Sequence, residues 1–194
     1  YYTSAEDFHE LSPSVQLSWQ PFLNPNFRIR GFYKNIFRMP TFNDLYYTFV
    51  GNTFLNPEYS DQLNLGFSWR QELKDVHIHI TTDAYKVWIT DKIVAVPGTN
   101  LFRWTMLNLG EVETTGVETN LTASTGIGEN FNFSVMASYT FQQALDMTPG
   151  SNSVHQQIPY IPRNSGSLSI MGSFKKFDFN YSFIYTGNRY SQKA

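Results

Sequence analysis

Apolar and polar residues alternate one by one along most of this chain of 194 residues. In the segment 131–142, for example, Phe131, Phe133 and Val135 fall on one face, while Asn132 and Ser134 fall on the other. A period of two is typical of a β-strand whose two faces meet different surroundings. The same pattern marks the segments 14–19, 27–38, 63–69, 76–82, 117–123, 167–174 and 177–186. We therefore predict an all-β fold, an antiparallel meander of about eight long strands.

The connections between these segments alternate in length. Short turns are predicted at 21–26, 72–75, 125–130 and 175–176, and long irregular segments at 39–60, about 97–108 and about 147–164. Outer-membrane β-barrels have short turns at one end and long loops at the other. The predicted strands are also close to the ~9–11 residues that a strand needs to cross a membrane. The sheet is therefore interpreted as a fragment of a transmembrane β-barrel, and the alternative is a soluble sheet with a buried aromatic face.

The composition excludes several functions. Aromatic residues make up 17% and charged residues 15% of the chain, and cysteine is absent. Without cysteine, disulfides and thiolate metal sites are impossible. The net charge of −2 and the lack of a basic block argue against a nucleic-acid partner. We found no nucleophile elbow, phosphate-binding loop or zinc motif, so we predict no enzyme activity, no metal and no cofactor.

Two adjoining stretches carry a resemblance to a known family. "FRMPTFNDLYY" followed by "GNTFLNPEYSDQLNLG" resembles the barrel of TonB-dependent outer-membrane receptors. The family usually has lysine where this chain has Asn56. The segments 116–122, 158–170 and 185–190 look like the same family. The matching positions, to which we assign a structural role, are Phe37, Arg38, Pro40, Phe42, Asn43, Asp44, Leu45, Tyr46, Gly51, Asn52, Leu55, Pro57 and Glu58.

The resemblance implies a transport function. Such a receptor takes up a scarce chelate, either an iron-siderophore, haem or cobalamin, through the outer membrane of a Gram-negative bacterium with energy from TonB. Residues 1–194 would be part of the barrel, without the plug domain, TonB box or signal peptide. The implied partners are outer-membrane lipid, an extracellular chelate, and the TonB complex through the missing N-terminal part. The fragment is also expected to self-associate through its open sheet edges.

Substrate contacts are expected in the long segments. Aromatic faces there offer stacking surfaces, and arginine suits an anionic chelate. The competing interpretation is that the aromatic side chains pack on one another. The predicted ligand-binding residues are Tyr46, Tyr47, Phe54, Phe102, Arg103, Trp104, His155 and Tyr160.

Other interpretations remain open. A self-contained small outer-membrane barrel could act as an adhesin or structural anchor, and an outer-membrane hydrolase is a more remote alternative. His77 and His79 lie two residues apart and could share a metal, although solvated histidines facing a lumen are favoured. The basic residues Arg28, Arg30, Lys34 and Arg38 could form a basic patch. The preferred interpretation is that Glu111, Glu113 and Glu118 on another strand balance them inside the barrel.

Overall fold

A single antiparallel sheet makes up most of the computed structural model, which describes residues 10–23, 25–97, 104–128, 131–151 and 153–190. Eight strands follow one another in the order β1 to β8. This confirms the predicted all-β meander. The described part of the chain contains no helix that is long and apolar enough to cross a membrane. The elements are β1 (Ser14–Trp19), β2 (Phe27–Arg38), α1 (Phe42–Tyr46), β3 (Glu58–Leu73), β4 (Val76–Pro97), β5 (Trp104–Ile127), β6 (Phe131–Asp146), β7 (Asn164–Phe174) and β8 (Phe177–Thr186).

The strand register gives the sheet one apolar face and one polar face. One cross-strand row consists of Trp69, Ile80, Leu121, Ala137 and Leu168. The row beside it, on the opposite face, consists of Ser68, Thr81, Asn120, Ser138 and Ser167. Because successive side chains of a strand point to opposite faces, the alternation in the sequence becomes two continuous surfaces.

The apolar face is uncovered. Leu17, Phe179 and Phe183 are exposed by 72%, 61% and 49% of their surface. Contiguous apolar surfaces on this scale are rare on proteins that face only water, so this face is suited to lipid. The edge strands β1 and β8 are exposed along their whole length. Within the described residues each pairs with a single neighbour.

The apolar band has a definite upper limit. On β4 it extends over residues 76–84, and the next residue on that face is Lys86. The ammonium of Lys86 lies 2.9 Å from the carboxylate of Glu113 on β5. Within the band, the hydroxyls of Thr82 and Thr119 lie 3.2 Å apart and satisfy each other. A stretch of this length agrees with the ~9–11 residues of a membrane-crossing strand, so charges begin where the band ends.

Strands β4 and β5 continue well beyond the rest of the sheet. Pairing of β3 with β4 ends at Tyr59 and Thr90, whereas β4 and β5 remain paired as far as Pro97 and Trp104. We call the two-stranded extension, residues 91–97 and 104–110, the ribbon. The prediction of an irregular segment over about 97–108 was therefore wrong for residues 104–108, which are strand. Loops cover the ribbon, so its buried residues do not alternate with period two.

The buried hydrophobic cluster of the described residues lies at the base of the ribbon, at the loop end of the sheet. Leu109, Val112, Ala144 and Ile158 form a buried cluster there. Ile158 belongs to the third loop, residues 147–163 between β6 and β7. The core therefore joins the ribbon, the end of β6 and a loop into one unit at the end of the sheet opposite the short turns.

Glycine allows side chains to meet across an intervening strand of the polar face. Gly66 on β3 lies between Arg30 on β2 and Asp83 on β4. A Cβ on Gly66 would collide with the carboxylate of Asp83. The Nε–H of Arg30 consequently reaches Asp83 Oδ1 at 3.1 Å. Gly116 on β5 leaves space for another such contact, between side chains of β4 and β6.

The basic residues of β2 have different partners from those predicted. Arg30 pairs with Asp83, and Arg38 pairs with Glu58 and, at 3.8 Å, with Asp44. Glu113 instead holds Lys86 on the apolar face. The expectation that Glu111, Glu113 and Glu118 face this basic segment was wrong for these arginines, because the register places nearer carboxylates beside them.

Candidate functional site

The first loop, residues 39–57 between β2 and β3, begins with a capped helix. Thr41 Oγ1 accepts a hydrogen bond from the N–H of Asp44 at 3.2 Å, and the Asp44 carboxylate accepts from the N–H of Thr41 at 2.9 Å. This reciprocal capping box explains why a helix of only five residues forms after Pro40. The guanidinium of Arg38 lies beside both Asp44 and Glu58, and so ties the two ends of the loop together.

The later part of the first loop is attached to the ribbon. Asn52 donates to the carbonyl oxygen of Met106 at 3.0 Å. The amide of Asn108 both accepts from the N–H of Asn56 at 2.9 Å and donates to its carbonyl oxygen at 3.1 Å. The Glu58 carboxylate accepts from the N–H of Ile93 at 2.6 Å. The asparagine and glutamate residues of "GNTFLNPE" thus hold the loop against the ribbon.

Glycine is required at position 51 by a close approach of the backbone. A Cβ there would lie 2.6 Å from the carbonyl oxygen of Leu45 and 2.7 Å from the N of Tyr47. Leu55, a few residues later, is buried with 9% of its surface exposed. These contacts fix the shape of the first loop.

The third loop folds back over the end of β6. Asp146, which is 2% exposed, accepts hydrogen bonds from the N–H of Thr148 at 3.0 Å and from the hydroxyls of Ser151 and Ser153 at 3.1 Å and 2.7 Å. The hydroxyl of Thr148 accepts from the N–H of Glu111 at 3.1 Å. The loop is therefore attached both to β6 and to β5 at the base of the ribbon.

A cleft of about 340 Å³ lies between the third loop and the polar face. Volumes of ~300–1,000 Å³ are typical of ligand pockets. The ring of Trp104, at the start of β5, lies 5.8 Å from the ring of Tyr160 at the edge of this cleft. Aromatic, polar, apolar and cationic groups therefore converge on it. Its lining includes Val87, Lys92, Thr114, Gln142, Tyr160 and Ile161.

Two of the predicted ligand residues, Trp104 and Tyr160, are brought together by the fold. Tyr160 has a positive φ of 64° and donates its N–H to the carbonyl oxygen of Tyr190 at 2.8 Å. His155 also has a φ of 64°, and its N–H donates to the carbonyl oxygen of Asp146 at 2.7 Å, while its side chain is exposed. Phe102 and Arg103 lie outside the described residues.

The three predicted ligand residues of the first loop, Tyr46, Tyr47 and Phe54, are not among the described residues that line the cleft. The ring of Tyr46 packs against Phe42 at 5.0 Å. Tyr47 and Phe54 are exposed by 62% and 91% of their surface. These side chains present a separate aromatic surface on the first loop.

Sequence reasoning missed Lys92. This residue lies beyond the alternating segment 76–82, where the sequence is less regular and alternation assigns no face. In the structure it lies on the ribbon and lines the cleft, eight residues beyond the apolar band. Burial lowers the pKa of its ammonium, and the neighbouring Glu58 carboxylate opposes part of this effect.

A second, wider hollow of about 630 Å³ lies on the polar face near the short turns. Its lining includes His77, Ser124 and Asn180. His77 is solvated, and its Nδ1 lies 4.0 Å from a Glu72 carboxylate oxygen. Across the described ranges, no three histidine, cysteine, aspartate or glutamate side chains are arranged to hold a metal ion.

Comparisons with known proteins agree with this geometry. The family model for "TonB dependent receptor-like, beta-barrel" matches residues 1–194. The vitamin B12 transporter BtuB of Vibrio vulnificus (strain YJ016) is 36% identical over 94 residues, which are 48% of this chain and 15% of that protein. The structure of the copper transporter OprC superposes with a TM-score of 0.66 at 16% identity, over 94% of this chain and 27% of OprC. The chain therefore spans about a quarter or less of the length of these relatives.

Proposed function

Because the chain belongs to the TonB-dependent receptor β-barrel family, an outer-membrane family of receptors and not of enzymes, we propose that it is part of an active transporter for a scarce chelate. The observation that carries this proposal is the sheet with one lipid-suited face and one polar face, with a cleft between its polar face and the third loop. Energy transmitted by TonB would drive the uptake. The family match over all 194 residues favours a receptor over a self-contained small barrel that acts as an adhesin or anchor.

We assign residues 1–194 to the barrel wall of this receptor, and contact with the TonB complex to another part of the same protein. The uncovered apolar face would contact outer-membrane lipid, and the edge strands β1 and β8 would pair with further strands of the wall. An isolated fragment is expected to self-associate through those two edges.

The proposed cargo is an iron-siderophore, haem or cobalamin. The sequence similarity to a vitamin B12 transporter supports a chelate of this group. The likeness to a copper transporter, at 16% identity, supports the fold alone.

Trp104 and Tyr160 are the proposed cargo contacts at the cleft, because their rings already form one surface at its edge. Tyr46, Tyr47, Phe54 and His155 are proposed as outer contacts, since all four are exposed on loops. The motif residues between positions 37 and 58 are proposed to hold the first loop against the ribbon, because that loop is hydrogen-bonded to it.

The test is uptake by the full-length receptor in a strain that lacks its own copy. Cells are given radiolabelled iron chelates, haem or cyanocobalamin, with and without a functional TonB. We expect TonB-dependent uptake of one of them, reduced at least tenfold by the double change Trp104→Ala and Tyr160→Ala. Lys74→Ala, an exposed change in a turn at the far end of the sheet, serves as the control. Uptake that persists without TonB would overturn the proposal.

A further inference from the structure

We propose that the cleft beneath the third loop binds anionic ligands and that Lys92 supplies the positive charge that selects them. This inference rests on the proposed transport function, because it names the charge of the cargo. It favours an anionic chelate over a neutral one and over a bare metal cation.

The first argument is that Lys92 has no hydrogen-bond or ion-pair partner among the described residues. Its side chain is half-buried, and within the described residues its ammonium makes no hydrogen bond or ion pair. Arg30, Arg38 and Lys86, by contrast, each pair with a carboxylate. A partly desolvated cation without a partner is less stable than a solvated one, so this lysine is better explained by a ligand than by stability.

The second argument concerns the charges around Lys92. The carboxylate that acts on it most strongly, Glu58, is already engaged by Arg38 at 2.6 Å and by the N–H of Ile93 at 2.6 Å. Arg38 itself repels the ammonium. The arrangement therefore leaves positive charge facing the cleft, and burial strengthens its interaction with an incoming anion because the local dielectric constant is low.

The remaining groups of the cleft fit a chelate with both polar and flat apolar parts. Thr114 and Gln142 offer hydrogen-bonding groups on the polar face, and Tyr160 offers a ring at the edge. Because the cleft opens on the polar face and not on the apolar face, its ligand would come from the barrel interior and not from membrane lipid. The same cation would repel an uncomplexed metal ion.

The experiment uses the full-length receptor purified in detergent and a series of probes that differ in charge. Isothermal titration calorimetry is carried out with a ferric tris-catecholate, ferric citrate, a neutral ferric trihydroxamate and cyanocobalamin. The variants are Lys92→Met, which keeps the length of the side chain, and Lys92→Arg, which keeps the charge. Lys176→Met, an exposed cation in the turn between β7 and β8, is the matched control.

We expect an anionic probe to bind at least tenfold more tightly than either neutral one. Lys92→Met should weaken that binding at least tenfold, and Lys92→Arg by no more than about threefold, a loss of roughly 0.7 kcal/mol or less. Lys92→Met should unfold at the same or a higher temperature than the wild type, which separates loss of binding from loss of fold.

The inference is overturned if only neutral probes bind, if no anionic probe binds, or if Lys92→Met binds the anionic probe as tightly as the wild type. Its failure is distinguishable from failure of the proposed function. TonB-dependent uptake of a neutral chelate would leave the transporter standing without the charge selection. Anion binding that depends on Lys92, without TonB-dependent uptake, would leave the site standing without the transporter.

Discussion

Gly116 is expected to tolerate no side chain. The ring of Tyr85, from β4, lies across this glycine on β5, and its hydroxyl donates to Gln142 Oε1 on β6 at 3.4 Å. A Cβ on Gly116 would lie 2.5 Å from Tyr85 Cζ and 2.8 Å from the carbonyl oxygen of Phe141. Both distances are well inside van der Waals contact, so Gly116→Ala must displace the ring and shift the backbone.

The expected cost follows from three contributions. Overpacking of this kind costs ~1–3 kcal/mol. Loss of the long hydrogen bond from Tyr85 adds up to ~1 kcal/mol, while alanine in place of glycine in a strand gains ~0.5–1 kcal/mol. The net destabilisation should be about 0–3.5 kcal/mol, with a central value of about 2 kcal/mol. Gly172→Ala is the control, because its Cβ would meet nothing closer than Phe133 Cδ2 at 3.8 Å, and this change should be neutral or stabilising.

The assay is denaturant unfolding of the full-length receptor in detergent, followed by tryptophan fluorescence. The midpoint should fall for Gly116→Ala and should remain or rise for Gly172→Ala. Adding Tyr85→Ala to Gly116→Ala should recover part of the lost stability, because it removes the clash with the Tyr85 ring. The recovery should be incomplete, because the close contact with the Phe141 carbonyl oxygen remains. If Gly116→Ala is as stable as Gly172→Ala, the close packing of Tyr85 over Gly116 is refuted.

Three further changes test other parts of the structure. Asn108→Asp keeps the shape of the side chain but loses the two hydrogen bonds that its amide donates to the carbonyl oxygens of Asn56 and Asp91. The first loop should therefore be cleaved by protease faster in Asn108→Asp than in Asn108→Gln, which keeps an amide donor. Thr119→Lys lies within the apolar band and should cost ~2–4 kcal/mol. Thr115→Lys lies directly opposite Lys86, at the edge of the band, and should cost ~0–1 kcal/mol for its depth plus a few tenths for repulsion by Lys86. Equal costs in unfolding from lipid bilayers would contradict the placement of the band. Asp146→Ala should free the third loop at a cost of roughly 2–3 kcal/mol, measured as faster hydrogen exchange over residues 147–158; unchanged exchange would argue against its role.

The sheet could be predicted from sequence because its two faces meet different environments. That difference enforces alternation in segments such as 131–142, and the predicted strand starts there and at residue 27 agree with the structure. Residues 104–108 of the ribbon were predicted to be irregular because loops cover the ribbon and remove the alternation. Ile93 and Leu109 are both buried although the segments around them show no clean alternation, and burial by a loop leaves no period in a strand.

The candidate site could be predicted only in part. Trp104 and Tyr160 were singled out one by one as loop aromatics, but their meeting at 5.8 Å depends on how the third loop folds back onto β6. Lys92 was missed because one lysine in an apolar stretch looks like any solvated lysine. Lys92 differs from a solvated lysine because the nearby Glu58 carboxylate is already paired with Arg38. That pair is set by the strand register and by the position of the first loop, which residue spacing in the sequence does not show.

The ribbon is a common support for both described long loops. The first loop is hydrogen-bonded to it through Met106 and Asn108, and the third loop packs Ile158 against Leu109. To transfer the proposed cargo-binding surface to another barrel, three pieces of chain would therefore have to be moved together. A single grafted loop would arrive without the backbone groups and the apolar contacts that give it a shape. For the same reason, new cargo specificity in such a protein is expected to arise by substitutions on the exposed sides of the loops, while the ribbon beneath them changes slowly.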